Sequence, residues 1–451
     1  MKKNKHPLLT GALILTLTGV ATRVIGFFYK IFLSRVIGAE GIGLYQMIFP
    51  VFGICFSLTV AGIETSISRF VAGEAARKNE RGAKNMLAAG MLLSFSLSLL
   101  AALWLYKSAD FLAVHYLKEP RCGILLRFLS FSLPFASCHA CITGYYYGLK
   151  KTGVPAVSQL LEQLVRVGAV FLLADICVER GIAISPVLAV LGMALGEFSS
   201  MLFCVSVLVF QRSGAGKKAQ GQTNSLVSGH ALSLGNCMRQ ILAMSLPLTG
   251  NRVVMNVLAS MESILIPLTL QVYGLDAAAA YSIYGTLTGM SLSFILFPNV
   301  LTGSVAVLLL PSVSEAQAAG DQKRIRLAVQ KSIAFCLPFG TFCTVFFLLT
   351  GKFLGSFFFH SALAGDFILT LAWICPFLYL NSTLNSILHG LGSTGITFRN
   401  NVIGITIRIV FILLCVPTYG IKGYLWGILA NQLAVTLLCL GSLKGYLGGE
   451  P

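Results

Sequence analysis

Apolar runs long enough to cross a bilayer recur from one end of this chain to the other, and no other feature limits its fold as strongly. A helix needs about 20 such residues. Twelve runs qualify: 8–34, 44–71, 85–106, 122–147, 154–178, 184–210, 241–272, 277–310, 332–350, 366–391, 398–417 and 421–446. They predict an all-α integral membrane protein, because backbone in lipid must satisfy its own hydrogen bonds. Hydrophobic residues make up 56% of the 451 and charged residues only 11%. A cytosolic globular enzyme is excluded, since soluble proteins carry roughly 25% charged residues. Disorder is excluded as well, its signature being low hydrophobicity. The first run contains Arg23 and Lys30 and lacks a small-residue cleavage site, so it reads as a span and not as a cleavable signal peptide.

The formal net charge is +17. In a soluble protein that would suggest nucleic acid. In a membrane protein the first explanation is an excess of Lys and Arg in cytoplasmic loops. With the N-terminus inside, 19 cations fall in inside segments, among them Arg77, Lys78, Lys84, Lys150, Lys151 and Lys323, and 7 fall outside. The asymmetry predicts a multi-pass protein of the cell membrane with both termini cytoplasmic, and it requires no nucleic-acid partner. Seven cations remain in or near the spans: Arg23, Lys30, Arg69, Arg127, Arg166, Arg252 and Arg408.

Residues 211–240, rich in Gly, Ser and Lys, read as a flexible cytoplasmic linker. It divides the chain into six-helix lobes at 1–210 and 241–451. The lobes resemble each other. At an offset of 242, Pro134-Phe135 matches Pro376-Phe377, Gly148-Leu149 matches Gly390-Leu391, Thr152-Gly153 matches Thr394-Gly395, and Arg166 matches Arg408. Gly73-Glu74-Ala75 resembles Ser314-Glu315-Ala316, and Arg23 resembles Arg252, each followed by Val. Six spans per lobe make the repeat parallel, which implies a binding site between the lobes near the midplane and alternating access. Prolines within spans, such as Pro50, Pro134, Pro247, Pro267, Pro298, Pro338 and Pro376, bend helices. They serve either as static kinks or as points of flexure.

A charge at the bilayer centre costs about 2.5–3.5 kcal/mol on insertion scales, so it faces protein or water. Arg23 and Lys30, seven residues apart, share one helical face, as do Gly19 and Gly26. Arg252 lies mid-span, with Asn251 and Asn256 nearby. Arginine's planar fork bonds two phosphate oxygens at once. Arg23, Lys30, Arg69, Arg252, Asn251 and Asn256 are therefore the candidates for binding an anionic, phosphate-bearing substrate, with snorkelling or internal pairing as the alternative. Arg69 is a gate or an interfacial anchor, and Arg127 is an anchor. Glu162 and Arg166 have the favourable i,i+4 order of a structural ion pair. Arg408 has Gly404 in the matching place. Glu64, Glu197 and Glu262 are candidates for carrying a proton or cation, or for neutralising an arginine. No cofactor is implied beyond such sodium or proton coupling. Cys138-His139-Ala140-Cys141 offers two Cys at metal-ligand spacing but no second pair nearby, and no metal site is expected from it.

Three strings carry a family resemblance. One is Arg23-Val24-Ile25-Gly26-Phe27-Phe28-Tyr29-Lys30, followed by Gly38-Ala39-Glu40-Gly41-Ile42-Gly43. The second is Ala61-Gly62-Ile63-Glu64-Thr65-Ser66-Ile67-Ser68-Arg69. The third begins Ile283-Tyr284-Gly285-Thr286-Leu287-Thr288-Gly289, passes Phe297-Pro298-Asn299, and ends Leu310-Pro311-Ser312-Val313-Ser314-Glu315-Ala316. They resemble the stage V sporulation protein B family of polysaccharide biosynthesis proteins, within the multidrug/oligosaccharidyl-lipid/polysaccharide (MOP) flippase superfamily. The resemblance implies a two-lobed flippase for lipid-linked sugars, serving spore-cortex peptidoglycan in sporulating bacteria. It implies arginines in a central cavity, onto which Arg23 carries well and Arg69 less well, since the lipid II branch often has two arginines where this chain has Ser68-Arg69. An arginine of that branch near Tyr284 is missing, and Arg252 is the candidate substitute. That branch also has two further helices after the twelfth.

The expected function is export of a polyprenyl-diphosphate-linked saccharide, with membrane lipids and cell-wall synthesis proteins as further partners. An ion-coupled drug exporter for cationic compounds would have a net acidic cavity, the reverse of the charge balance here. A membrane enzyme would need a catalytic acid and a substantial outer loop, and no paired acids of the glycosidase kind are visible. A non-transporting scaffold for wall assembly would tolerate loss of Arg23 or Arg252.

Overall fold

The computed structural model describes residues 7–219 and 233–444, and no strand occurs among them. The helices are α1 (Pro7–Val36), α2 (Gly38–Phe56), α3 (Gly62–Ala76), α4 (Glu80–Phe111), α5 (Cys122–Ser130), α6 (Ser132–Gly148), α7 (Gly153–Glu179), α8 (Val187–Ala219), α9 (Leu234–Val272), α10 (Ala277–Gly285), α11 (Leu292–Leu296), α12 (Asn299–Ala318), α13 (Gln322–Phe359), α14 (Ala362–Leu371), α15 (Cys375–Gly390), α16 (Thr394–Tyr419) and α17 (Ile421–Ser442). π-helical turns join α2 to α3 and α10 to α11. Ten helical segments are long and apolar enough to cross a membrane, and the bent pair α5–α6 makes an eleventh. The remaining expected span is α7, 27 residues long, which carries Glu162, Arg166 and Asp175. Large apolar side chains such as Leu349, Leu414 and Leu437 are exposed, as suits a protein whose solvent is lipid. The chain is a multi-pass membrane protein.

The helices pack into two compact units. Unit 1 is Met1–Thr22 with Ile48–Asn256, and unit 2 is Arg23–Met47 with Val257–Pro451. The boundary thus runs through α1, α2 and α9 and not through the expected linker, whose residues 220–232 lie outside the described ones. Glycines explain these helix assignments. In unit 2 a Cβ on Gly43 would meet the Tyr281 carbonyl at 2.2 Å, and one on Gly285 would meet that of Ala39 at 2.0 Å. Only bare backbone lets the start of α2 lie so close to α10. In unit 1 a Cβ on Gly62 would meet the Ser245 carbonyl at 2.8 Å, which seats the start of α9 on α3.

Each unit has its own apolar core. In unit 1, Ile67 and Val71 of α3 pack with Met86 of α4, Tyr146 of α6, Cys204 of α8 and Ile241 of α9. In unit 2, Val313 of α12 packs with Val329 of α13, Leu384 and Leu388 of α15, and Cys439 of α17. Val71 and Val313 are 242 apart, as are Leu87 and Val329, and Tyr146 and Leu388.

The same offset recurs in the backbone. A Cβ on Gly148 would meet the Ser68 carbonyl at 2.6 Å and Val71 Cβ at 2.8 Å, and one on Gly390 would meet the Leu310 carbonyl and Val313 Cβ, both at 2.9 Å. Asn79 caps α4 by accepting from the Gly82 amide at 3.0 Å, and Asp321 caps α13 by accepting from the Arg324 amide at 3.0 Å. Left-handed residues precede both caps, Lys78 (φ 56°) and Gly320 (φ 71°), and others follow α6 and α15, Lys150 (φ 58°) and Gly392 (φ 75°). The halves are therefore a structural repeat. One sequence match is corrected. The packing on both sides of it keeps the offset at 242, so Glu74 corresponds to Ala316 and not to Glu315. Glu74 is buried and accepts from Asn79 at 2.7 Å, whereas the side chain of Glu315 is 73% exposed.

Both halves interrupt their second span at equivalent places. The π-helical turn Ser57–Ala61 frees carbonyls in unit 1, and the break at Phe297–Pro298 does so in unit 2. The Gly53 carbonyl accepts from Asn256 Nδ2 at 3.0 Å and that of Thr59 accepts from Ser94 Oγ at 2.7 Å. The Ile295 carbonyl, 242 residues beyond Gly53, accepts from the Tyr379 hydroxyl at 2.8 Å.

Candidate functional site

The seven cations in or near the spans separate into two groups. Arg127 pairs with Asp110, Arg166 with Glu162 one turn back on α7, and Arg408 with Glu262. Among the described residues Arg23, Lys30, Arg69 and Arg252 form no salt bridge. Burying a charge is tolerable when it is paired. A cation left without such a partner in a membrane span is a candidate for a functional role.

In unit 2, Arg408 of α16 donates from Nη1 to Glu262 of α9 at 2.8 Å, and the Tyr424 hydroxyl donates to the same carboxylate oxygen. Gly404 stands where its repeat mate Arg166 has Glu162, so the counter-charge comes from another helix. Arg23 opens the unit 2 part of α1 and is exposed. Its Nη1 lies 3.1 Å from where a Cβ on Gly303 of α12 would stand. The absent side chain is what leaves room for the guanidinium. Lys30 is half-buried two turns further on. Tyr284 is buried with Ser263 and Glu262 beside it.

In unit 1, Arg252 and Asn251 are both exposed on α9. Glu64 of α3 interacts electrostatically with Arg252 and with His139. Asn256 is engaged elsewhere. Both of its amide contacts, to the Gly53 carbonyl and to Ser57 Oγ at 2.8 Å, go to the interrupted second span. Arg69 lines a groove of about 420 Å³ with Glu64, Ser68, Tyr147 and Lys150.

A second constellation in unit 1 was only partly visible in the sequence. His139 of α6 approaches Glu197 of α8 through Nδ1, at 3.2 Å from Oε2, and Ser158 of α7 through Nε2, at 2.6 Å from Oγ. Glu162 joins them: ligand-type atoms of His139, Glu162 and Glu197 lie within 4.8 Å of one another. Cys138 and Cys141 are not part of this group. Within Cys138-His139-Ala140-Cys141 it is the histidine, and not the cysteines at metal-ligand spacing, that meets these partners. An ionisable residue inside an apolar span was the signal available.

The two-unit helical membrane fold and the matches to known proteins together make this chain a flippase or transporter of the MOP superfamily. The chain belongs to the polysaccharide biosynthesis protein family, whose model matches residues 8–302. It is 28% identical over 436 residues to stage V sporulation protein B of Bacillus subtilis (strain 168), covering 96% of this chain and 83% of that protein. Its fold is similar to that of the lipid II flippase MurJ in an inward closed conformation, with TM-score 0.70, 14% identity, and coverage of 96% of this chain and 87% of that one. It is similar as well to an inward-facing multidrug resistance MATE family transporter of the MOP superfamily, with TM-score 0.69, 15% identity, and coverage of 96% and 98%.

Proposed function

We propose that this protein carries a polyprenyl-diphosphate-linked saccharide, a cell-envelope precursor, across the cytoplasmic membrane by alternating access. It acts as a flippase and not as an enzyme. The observation that carries this reading is the set of four cations, Arg23, Lys30, Arg69 and Arg252, that form no salt bridge among the described residues. A diphosphate supplies an anion that could meet these groups directly, Arg252 having only the electrostatic influence of Glu64 without a salt bridge, and arginine matches it with paired hydrogen bonds. A site for cationic drugs would need the opposite sign of charge. The excess of Lys and Arg in alternate loops supports a cytoplasmic location for both termini. The relative named for stage V of sporulation supports a role in envelope synthesis during spore formation, with peptidoglycan as the polymer.

Arg23→Ala and Arg252→Ala are each expected to abolish flipping while leaving the amount of protein in the membrane normal. The assay is the accessibility of a labelled lipid-linked precursor in proteoliposomes. Full activity in both variants would remove the arginines from the substrate path.

A further inference from the structure

The two halves make the same helix–helix contact with different chemistry. In unit 1, His139 of α6 meets Glu197 of α8. Residue 381, at the offset of 242 from His139, is Asn381 of α15. Between α8 and α17 the offset falls to 235. Seven residues connect α7 to α8, only Gly420 connects α16 to α17, and α16 is one residue shorter than α7. The packing agrees: Gly196 lies against Glu162, and Asn431, 235 residues on, lies against Gly404. Glu197 therefore corresponds to Gln432. Asn381 Nδ2 donates to Gln432 Oε1 at 2.8 Å. Unit 2 thus closes this contact with a neutral amide pair, and the fold does not require a histidine and a carboxylate there.

Charge balance indicates what the ionisable version binds. Glu197 from α8, and Glu162 and Arg166 from α7, surround His139, with Glu64 of α3 beyond them facing Arg252. The α4 groups that hydrogen-bond to α6, Ser98 Oγ and the Gly90 carbonyl, are neutral; Lys84 of α4 lines a pocket with Tyr145, and Arg127 of α5 is paired with Asp110. Two carboxylates and one guanidinium leave one negative charge uncompensated, which is costly in a site largely removed from water. A single proton on His139 restores neutrality. A divalent metal would overshoot it and would compete with Arg166 for Glu162. The hydrogen bonds accept either state without moving a heavy atom. With neutral imidazole protonated at Nδ1, the Ser158 hydroxyl donates to Nε2, and with imidazolium it rotates and accepts.

We propose that His139 and Glu197 form a proton-binding site in unit 1 and that this proton is the ion whose binding drives the transport cycle. The second clause rests on the transport reading, and the first does not. The test transplants the unit 2 pair into unit 1. The H139N/E197Q double variant of the full chain is expected to fold with wild-type thermal stability. Purified protein in detergent, titrated potentiometrically from about pH 4 to 9, is expected to bind about one proton fewer in the double variant than in wild type, because only removal of both groups leaves Glu162 and Arg166 balanced. In proteoliposomes the flipping of the double variant should no longer respond to a pH gradient. Should the double variant misfold, the titration of the His139 ring followed by NMR in the wild-type chain decides the proton. An unchanged count in a folded double variant, or a His139 ring that takes up no proton between about pH 4 and 9, overturns the site, whatever the protein transports. A changed count with flipping that still follows the pH gradient overturns its role as driver and leaves the site. Sodium-dependent stabilisation that disappears in the double variant, with no difference in protons, overturns the proton in favour of sodium.

Discussion

Replacing Glu262 by Gln tests directly whether the cations of the spans divide into two kinds. Glu262 Oε1 accepts from Arg408 Nη1 at 2.8 Å and from the Tyr424 hydroxyl, and its side chain is only 9% exposed. Glutamine keeps the shape and one carbonyl acceptor but leaves the guanidinium without a counter-charge. Breaking a buried pair from one side costs about 3–5 kcal/mol, because an uncompensated charge remains. Arg408 is 23% exposed, so the lower part of that range is expected. At about 2–4 °C per kcal/mol for a body of this size, unfolding followed by intrinsic fluorescence in detergent should begin roughly 6–12 °C lower. Adding Arg408→Met removes the orphaned charge and should recover most of the loss, since no uncompensated charge then remains and the neutral amide at position 262 can still accept from the Tyr424 hydroxyl. Arg23→Gln, which breaks no salt bridge, should leave unfolding where it was. The reasoning is wrong if E262Q melts with wild type, or if the double variant is no more stable than E262Q.

Other outcomes follow from the same geometry. Gly148→Ala and Gly390→Ala each push a methyl against a carbonyl less than 3 Å away. Each should cost about 1–3 kcal/mol by overpacking, read as a similar drop in melting temperature for both. Asn256→Ala removes two hydrogen bonds at the interrupted second span, and at about 1 kcal/mol each it should lower stability while leaving affinity for the lipid-linked precursor unchanged in a binding assay. Gly303→Val should crowd the Arg23 guanidinium and impair flipping with little effect on melting.

Most of the spans were legible in the sequence because crossing lipid demands long apolar runs; the twelfth, α7, was expected from its length but carries Glu162, Arg166 and Asp175 and is not among the ten or eleven that qualify by apolarity. The ends of the spans were less legible. α13 occupies Gln322–Phe359, well beyond the apolar run at 332–350, since its flanking turns carry charges such as Lys323 and Arg326 that hydropathy excludes. The repeat was visible in Gly148 and Gly390, whose identity is fixed by backbone contact. The boundary between the units was not, because it falls inside continuous helices at Thr22, Met47 and Asn256, where composition does not change. Among the candidate residues, the i,i+4 spacing revealed the partner of Arg166. The partner of Arg408 was hidden, since Glu262 reaches it from α9. His139 and Glu197 lie 58 positions apart, and only packing of α6 on α8 brings them together.

Comparison of the halves separates scaffold from chemistry without an alignment of relatives. Where both keep the same device, it answers a demand of the backbone: a glycine under a carbonyl, a capping Asn or Asp, a side chain on a freed carbonyl. Where they differ, the neutral half shows what the fold alone requires. Asn381 and Gln432 show that α6 and α8 need only a hydrogen bond, so the ionisable pair in unit 1 has another use. Gly404 shows that an arginine at this place need not have its acid one turn back, so Glu162 is free to belong as much to the His139 cluster as to Arg166. By the same logic the four cations without a salt bridge stand out against three repeat-related or neighbouring arginines that have one. They are the groups on which the proposed anion site is to be tested.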